Sequence, residues 1–167
     1  MKKFNNKTSS KVAADKQARF GCKGNKKYWY GYKEHVSVAM QSGLINKIAV
    51  TPADVTDANG IKHVCPSNTI IYADKGYCIN PSTTTIKAKN CENATIRKNN
   101  MASKNKEQDK VRSQMRAPYE RVFSKRSKRV RYKSVMKVQF QSAMGAICHN
   151  CKRLIQLKTQ YPSLATG

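Results

Sequence analysis

The chain has 167 residues with 33 Lys+Arg against 9 Asp+Glu, a formal charge of +24 and a pI near 10.1. At 39% hydrophobic residues and a mean hydropathy of -0.70, it has room for one domain with a modest core, and its self-repulsion calls for an anionic partner. No apolar run reaches the roughly 18 residues that cross a bilayer, and Met1-Lys2-Lys3-Phe4-Asn5-Asn6 lacks the apolar stretch of a secretory signal, so a cytoplasmic, nucleoid-associated protein is expected.

Nucleic acid is the expected partner, because Lys and Arg that neutralise phosphates release condensed counterions. The cysteines, at 22, 65, 78, 91, 148 and 151, read as reduced thiols. Cys148-His149-Asn150-Cys151 has the two-residue gap of a zinc knuckle. No second pair accompanies it, so buried core thiols within a helix are the expectation.

Residues 1–19, rich in Lys, Asn and Ser, are expected as a disordered basic tail. Arg19 to Lys27 reads as a glycine-punctuated basic loop without Walker A spacing. Tyr28 to Met40 alternates as a strand, Gln41-Ser42-Gly43 is a turn, and Leu44 to Val50 is a second strand; together they predict a β-hairpin. The chain leaves the sheet at Pro52, and Thr56 or Asp57 caps a short helix through Val64.

Thr69 to Ala73 is a short apolar run that ends on Asp74, with Gly76 and Tyr77 following. It predicts a buried strand with Asp74 at its carboxyl end, where chains place catalytic or metal-binding groups as well as plain turn caps. Thr95 to Lys98 is expected as another short strand. Helical periodicity begins at Lys104, breaks at Pro118 and returns strongly over Ser134 to Leu157, where Val135, Val138, Met144, Ile147, Cys148, Cys151 and Ile155 form the apolar set.

Between Arg97 and Lys137 stand 15 Lys+Arg against Glu107, Asp109 and Glu120. Arg116, Arg121, Lys125, Arg126, Lys128, Arg129, Arg131 and Lys133 are the candidate DNA contacts. Glu120 follows Pro118 in a first helical turn, which suits either helix capping or metal ligation.

In order along the chain stand Lys23-Gly24-Asn25-Lys26-Lys27-Tyr28-Trp29-Tyr30-Gly31-Tyr32-Lys33-Glu34-His35-Val36, Ser42-Gly43-Leu44-Ile45, Thr51-Pro52-Ala53-Asp54-Val55-Thr56-Asp57, Tyr72-Ala73-Asp74-Lys75-Gly76-Tyr77, and Arg116 through Glu120 with Arg121-Val122-Phe123. Over roughly residues 19 to 156 this series resembles the catalytic part of bacterial insertion-sequence transposases of the DDE type. The resemblance implies an incomplete ribonuclease H-like mixed sheet flanked by helices. It divides the chain into a tail (1–19), a partial catalytic domain (20–133) and a C-terminal helix on the core (134–157).

It also implies metal-dependent DNA cleavage and strand transfer at two Mg²⁺ or Mn²⁺ ions held by three carboxylates. Asp74 corresponds to the second of these and Glu120 to the third. In the glutamate signature Arg116 and Glu120 fit, whereas Ser113 stands in place of a tyrosine and Ser127 in place of a lysine. The first aspartate should end a strand before Tyr28. Asp15, the one acid there, lies in a stretch too short and polar for a central strand. The chain is therefore expected to be a downstream fragment, inactive alone, with an upstream transposase fragment and a homodimer as further possible partners. The other reading is a basic nucleic-acid-binding protein without catalysis, of the ribosome-associated kind.

Overall fold

The computed structural model describes residues 5–24, 27–124 and 129–161. Its elements are α1 (Asn6–Val12), β1 (Arg19–Lys23), β2 (Lys27–Val38), β3 (Ile45–Pro52), α2 (Asp57–Val64), β4 (Ile70–Ile71), α3 (Asn80–Ala88), β5 (Glu92–Asn93), α4 (Lys106–Arg116), α5 (Glu120–Ser124) and α6 (Val135–Gln160). Single 3-10 turns occupy Lys75–Tyr77 and Ala117–Tyr119.

β2 and β3 form the expected hairpin, paired from Tyr32–Pro52 to Val38–Ile45. Gly43 closes its turn at φ 72, a conformation that favours glycine, and donates to the Ala39 carbonyl at 2.7 Å. The first half of β2 pairs instead with β1, antiparallel, from Arg19–Gly31 to Lys23–Lys27. The stretch expected as a basic loop is thus a strand over 19–23. Its glycine has a packing reason: a Cβ on Gly21 would sit 2.5 Å from the Trp29 ring and 2.8 Å from the Ala53 carbonyl oxygen.

The tail also differs from expectation. Residues 6–12 are helical, with Asn5 as cap, and the Asn6 side chain accepts from the Phe20 amide at 2.7 Å. The helix buries none of its residues, so the Asn5 cap and this tie to β1 hold it rather than a core face.

The apolar run before Asp74 forms β4, which pairs in parallel with β5. The ladder reaches past both assigned strands: Glu92, Ala94 and Ile96 amides donate to the Thr69, Ile71 and Ala73 carbonyls, each at 3.0 Å. The strand expected at Thr95 to Lys98 therefore lies a few residues earlier. Ile70 remains 44% exposed, where burial was expected.

Between β4 and β5 runs α3, which the pattern reading missed because Ser82-Thr83-Thr84-Thr85 is a poor helix former; Pro81 in its first turn is the only signal. Ile86 of α3 packs with Ile61 and Cys65 of the α2 segment, and Ile71, Tyr77 and Cys91 lean on this cluster.

α6 covers the sheet differently from its apolar pattern. Val138 and Ala146 are buried, and Ala146 packs with Ile45 and Val122. Met144, Ile147, Cys148, Cys151 and Ile155 are exposed, contrary to the expected core thiols and apolar stripe. The reason is that the inward face spends its positions on amides. Asn150 accepts from the Ile45 amide at 2.8 Å and donates to the Ile45 carbonyl at 2.9 Å. Gln139 accepts from Val50 at 2.7 Å and donates to Ile48 at 3.1 Å. Eleven helical residues rise about 16 Å and five strand residues span about the same, so the two amides meet the edge in register. The helix thereby satisfies the β3 edge as a neighbouring strand would.

The three-stranded antiparallel sheet, the separate parallel pair, the flanking helices and the long C-terminal helix form a mixed α/β fold. It is consistent with the incomplete ribonuclease H-like arrangement that the resemblance implies. Each β2 residue is matched to one strand only, β1 or β3. Among the described residues the two sheets share no strand pairing.

Candidate active site

Asp74 ends the β4 ladder one residue beyond Ala73, whose carbonyl accepts from Ile96 at 3.0 Å. Its carboxylate caps the following 3-10 turn, accepting from the Lys75 amide at 2.7 Å. Tyr77, at the end of that turn, leans on the Ile61–Ile86 cluster and anchors the turn from below. Burial, with Asp57 and Asp74 nearby, pushes the Tyr77 phenol up to about 12, so it stays neutral beside the carboxylates.

Glu120 opens α5 after the Ala117–Tyr119 turn, with Pro118 in the place predicted for it. Two contacts fix its position. The Tyr119 hydroxyl donates to the Met40 carbonyl at the hairpin turn, and Val122 is buried against Ile45 and Ala146.

Arg116 brings the two acids together. One guanidinium nitrogen lies 2.7 Å from Glu120 Oε1, a pair one helical turn apart, and the other lies 3.7 Å from Asp74 Oδ1. Both carboxylates are 61% exposed, so these bonds contribute little stability; their content is positional. Arg116, one of the candidate DNA contacts, spans the two carboxylates. All three residues line one cleft of about 440 Å³, together with Lys75, Lys104, Lys106 and Lys110. These lysines were not among the candidate contacts. The signal was present in the spacing, since 106, 110, 113 and 116 fall on one face of α4.

The other candidate contacts lie elsewhere. Arg121 is exposed on α5. Arg129, Arg131 and Lys133 are exposed before α6, where Gln141 accepts from the Arg131 amide at 3.0 Å and donates to the Arg129 carbonyl at 3.2 Å. Lys125, Arg126 and Lys128 fall outside the described residues.

A two-ion site needs a third carboxylate; Asp15 and Asp57 are bonded outside the cleft lining, and Asp109 on the cleft wall has one oxygen bonded and its Oδ2 buried without a hydrogen-bond partner. Asp15 accepts from the Tyr32 hydroxyl at 2.7 Å and from the Ser134 amide at 3.2 Å. Burial pushes its carboxyl up, but those bonds and the Gln17 and Ala18 amides outweigh it and hold the carboxyl below its usual range. With Gln17, which accepts from Val135 at 2.7 Å, Asp15 caps the N-terminus of α6 from outside the helix.

Asp57 pairs with Lys33 at 3.3 Å. Asp109 lines the cleft but is buried, accepting from the Arg97 amide at 3.1 Å and lying 3.5 Å from Arg112. Among the described residues no three His, Cys, Asp or Glu side chains stand together as a metal cluster. Asp74 and Glu120 are hard-oxygen donors of the kind Mg²⁺ prefers, and they fall short in number for two ions.

Among the described residues no helix is long and apolar enough to cross a membrane. No curated protein and no solved structure matches the chain. The model of the family described as "Transposase DDE domain" matches residues 6–151, most of the sequence. The chain belongs to the family of DDE-domain transposases.

Proposed function

We propose that this chain supplies the Asp74–Glu120 part of a DDE transposase active site, binds DNA through its basic surface, and needs a third carboxylate from other polypeptide before it can cut or join a strand. Family membership implies DNA as the substrate and a divalent metal in the reaction. The observation that carries the finer reading is the pairing of Asp74 and Glu120 through one arginine, in a cleft whose lining also includes four lysines. A purely DNA-coating protein has no need to hold two acids against an arginine inside its basic surface.

On this reading residues 20–133 form a partial catalytic domain and 134–157 its covering helix. Arg116 keeps two like-charged carboxylates at one place while no metal neutralises them, and Tyr77 and Val122 keep their turns from drifting apart. The missing acid would end a strand supplied by an upstream segment. That β2 pairs with one strand at each position, and that β4–β5 stands apart from it, leaves room for such a strand. A second copy of the chain is the other partner open to this surface.

Fluorescence anisotropy with labelled duplex DNA tests the binding half. With about six phosphate contacts, affinity should fall on the order of a thousandfold between 50 and 200 mM salt. Replacing Arg129, Arg131 and Lys133 with Gln should flatten the slope. Binding indifferent to salt would count against the reading.

A further inference from the structure

The cleft beside Asp74 and Glu120 has a chemistry of its own. Its lining includes Lys75, Lys104, Lys106 and Lys110, and among the described ion pairs none of these lysines has a carboxylate partner. Of the acids on the cleft wall, Asp74 and Glu120 are held by Arg116, and Asp109 lies beside Arg112. Three of the ammonium groups sit on exposed residues, and Lys104 is half-buried with its Nζ donating to Asn99. Lys106 and Lys110 are one turn apart on α4, and the same face runs on to Arg116. An uncompensated cationic row therefore leads along α4 to the paired acids.

Size limits what that row can hold. A volume of about 440 Å³ corresponds to a box roughly 8 Å on a side, the scale of a small-molecule pocket. A B-form duplex, whose major groove alone is about 12 Å wide, does not enter it. The lining includes no aromatic side chain on which a base could stack. The cleft offers charge to phosphates and no platform to bases.

We propose that this cleft is the path of one DNA strand, with Lys106 and Lys110 holding successive phosphates and Lys75 and Lys104 closing the far side. The inference rests on the DNA-binding reading above and adds which lysines take the strand and in what form. The duplex rides on the exposed 129–133 segment, and a single strand, unpaired at its end, reaches Asp74 and Glu120. Contact is through phosphate, so it carries no sequence preference.

The test compares a blunt duplex with the same duplex bearing a single-stranded 3′ tail, by anisotropy from 50 to 300 mM salt. The proteins are the full chain, Lys106→Gln/Lys110→Gln, and Arg129→Gln/Arg131→Gln/Lys133→Gln, each checked for folding by circular dichroism. The wild type should prefer the tailed duplex. In the lysine double variant that preference should drop by about 25-fold near 0.1 M salt, with the log–log slope smaller by about 1.4, from two lost single-strand contacts. Its blunt-duplex affinity should stay within about twofold of wild type, whereas the 129–133 variant should lose affinity for both DNAs. Equal loss on both DNAs in the lysine variant, or no loss on either, would overturn the strand path and leave the DNA reading standing. A wild type that binds neither DNA would overturn both.

Discussion

Replacing Asp15 separates two roles for the single acid that precedes the hairpin. The structure makes it a staple: its carboxylate takes the Tyr32 hydroxyl at 2.7 Å and the Ser134 amide at 3.2 Å, joining β2 to the start of α6. Hydrogen bonds to a charged acceptor contribute about 1.5–3 kcal/mol, and a carboxylate at a helix N-terminus adds about 0.3–1 kcal/mol. The bonds share one group and are not additive, so Asp15→Ala should cost about 2–4 kcal/mol. For a chain of this size that lowers Tm by roughly 5–12 °C. Asp15→Asn keeps an acceptor oxygen and loses the charge, and should fall between.

The sign with pH follows from the depressed carboxyl. Its contribution is present above the unfolded Asp value of about 3.9 and fades as pH falls through the lower folded value. The gap between wild type and Asp15→Asn should therefore close in acid. Thermal unfolding followed by circular dichroism measures all three proteins. An Asp15→Ala protein as stable as wild type would refute the staple, and would reopen Asp15 as a ligand.

Three further outcomes follow from the packing. Asn150→Ala removes both bonds to Ile45 and leaves a buried strand edge short of partners, at about 1–3 kcal/mol; Gln139→Ala should cost about the same, and the double variant close to the sum, as read from urea midpoints. Gly60→Ala, which raises helix propensity and would stabilise an open site, should destabilise by about 1–3 kcal/mol, because the new Cβ would meet the buried His35 ring at 2.1 Å. Burial holds the His35 imidazole below its usual value, so the unfolded chain takes the proton first; stability should fall as pH drops below about 6.5, and a urea midpoint flat between pH 7.5 and 5.5 would contradict this.

The parts of the fold legible in the sequence were those where side-chain period and burial agree. Alternation gave the β2–β3 hairpin, and the Thr56 cap gave α2. Pro118 marked the break before Glu120. The reading failed where a residue serves a neighbour rather than its own element. Gly21 looked like loop punctuation and instead makes room for Trp29. Gln139 and Asn150 stood outside the apolar set of α6, yet they bond the sheet edge, while Met144, Ile147 and Ile155 of that set are exposed.

The site shows the same division. The positions of Asp74 and Glu120 at the start of their turns could be read from flanking Gly and Pro. Their meeting through Arg116 depends on how β4 and α4 pack, which no local pattern encodes. Of the cleft lysines, Lys104, Lys106 and Lys110 stood within the long basic run and Lys75 beside Asp74.

Strand cleavage decides whether the chain needs a further carboxylate. Transposon-end DNA, labelled at one strand, is incubated with the chain and Mg²⁺ or Mn²⁺, beside Asp74→Ala, Glu120→Ala and Asp15→Ala. No product is expected from the chain alone. Product is expected once a segment carrying an apolar strand that ends in Asp is supplied, lost in Asp74→Ala and Glu120→Ala and retained in Asp15→Ala at a temperature where that variant is folded. Cleavage by the unaided chain that disappears with Asp74→Ala would contradict this, because the chain would then supply every carboxylate the chemistry needs.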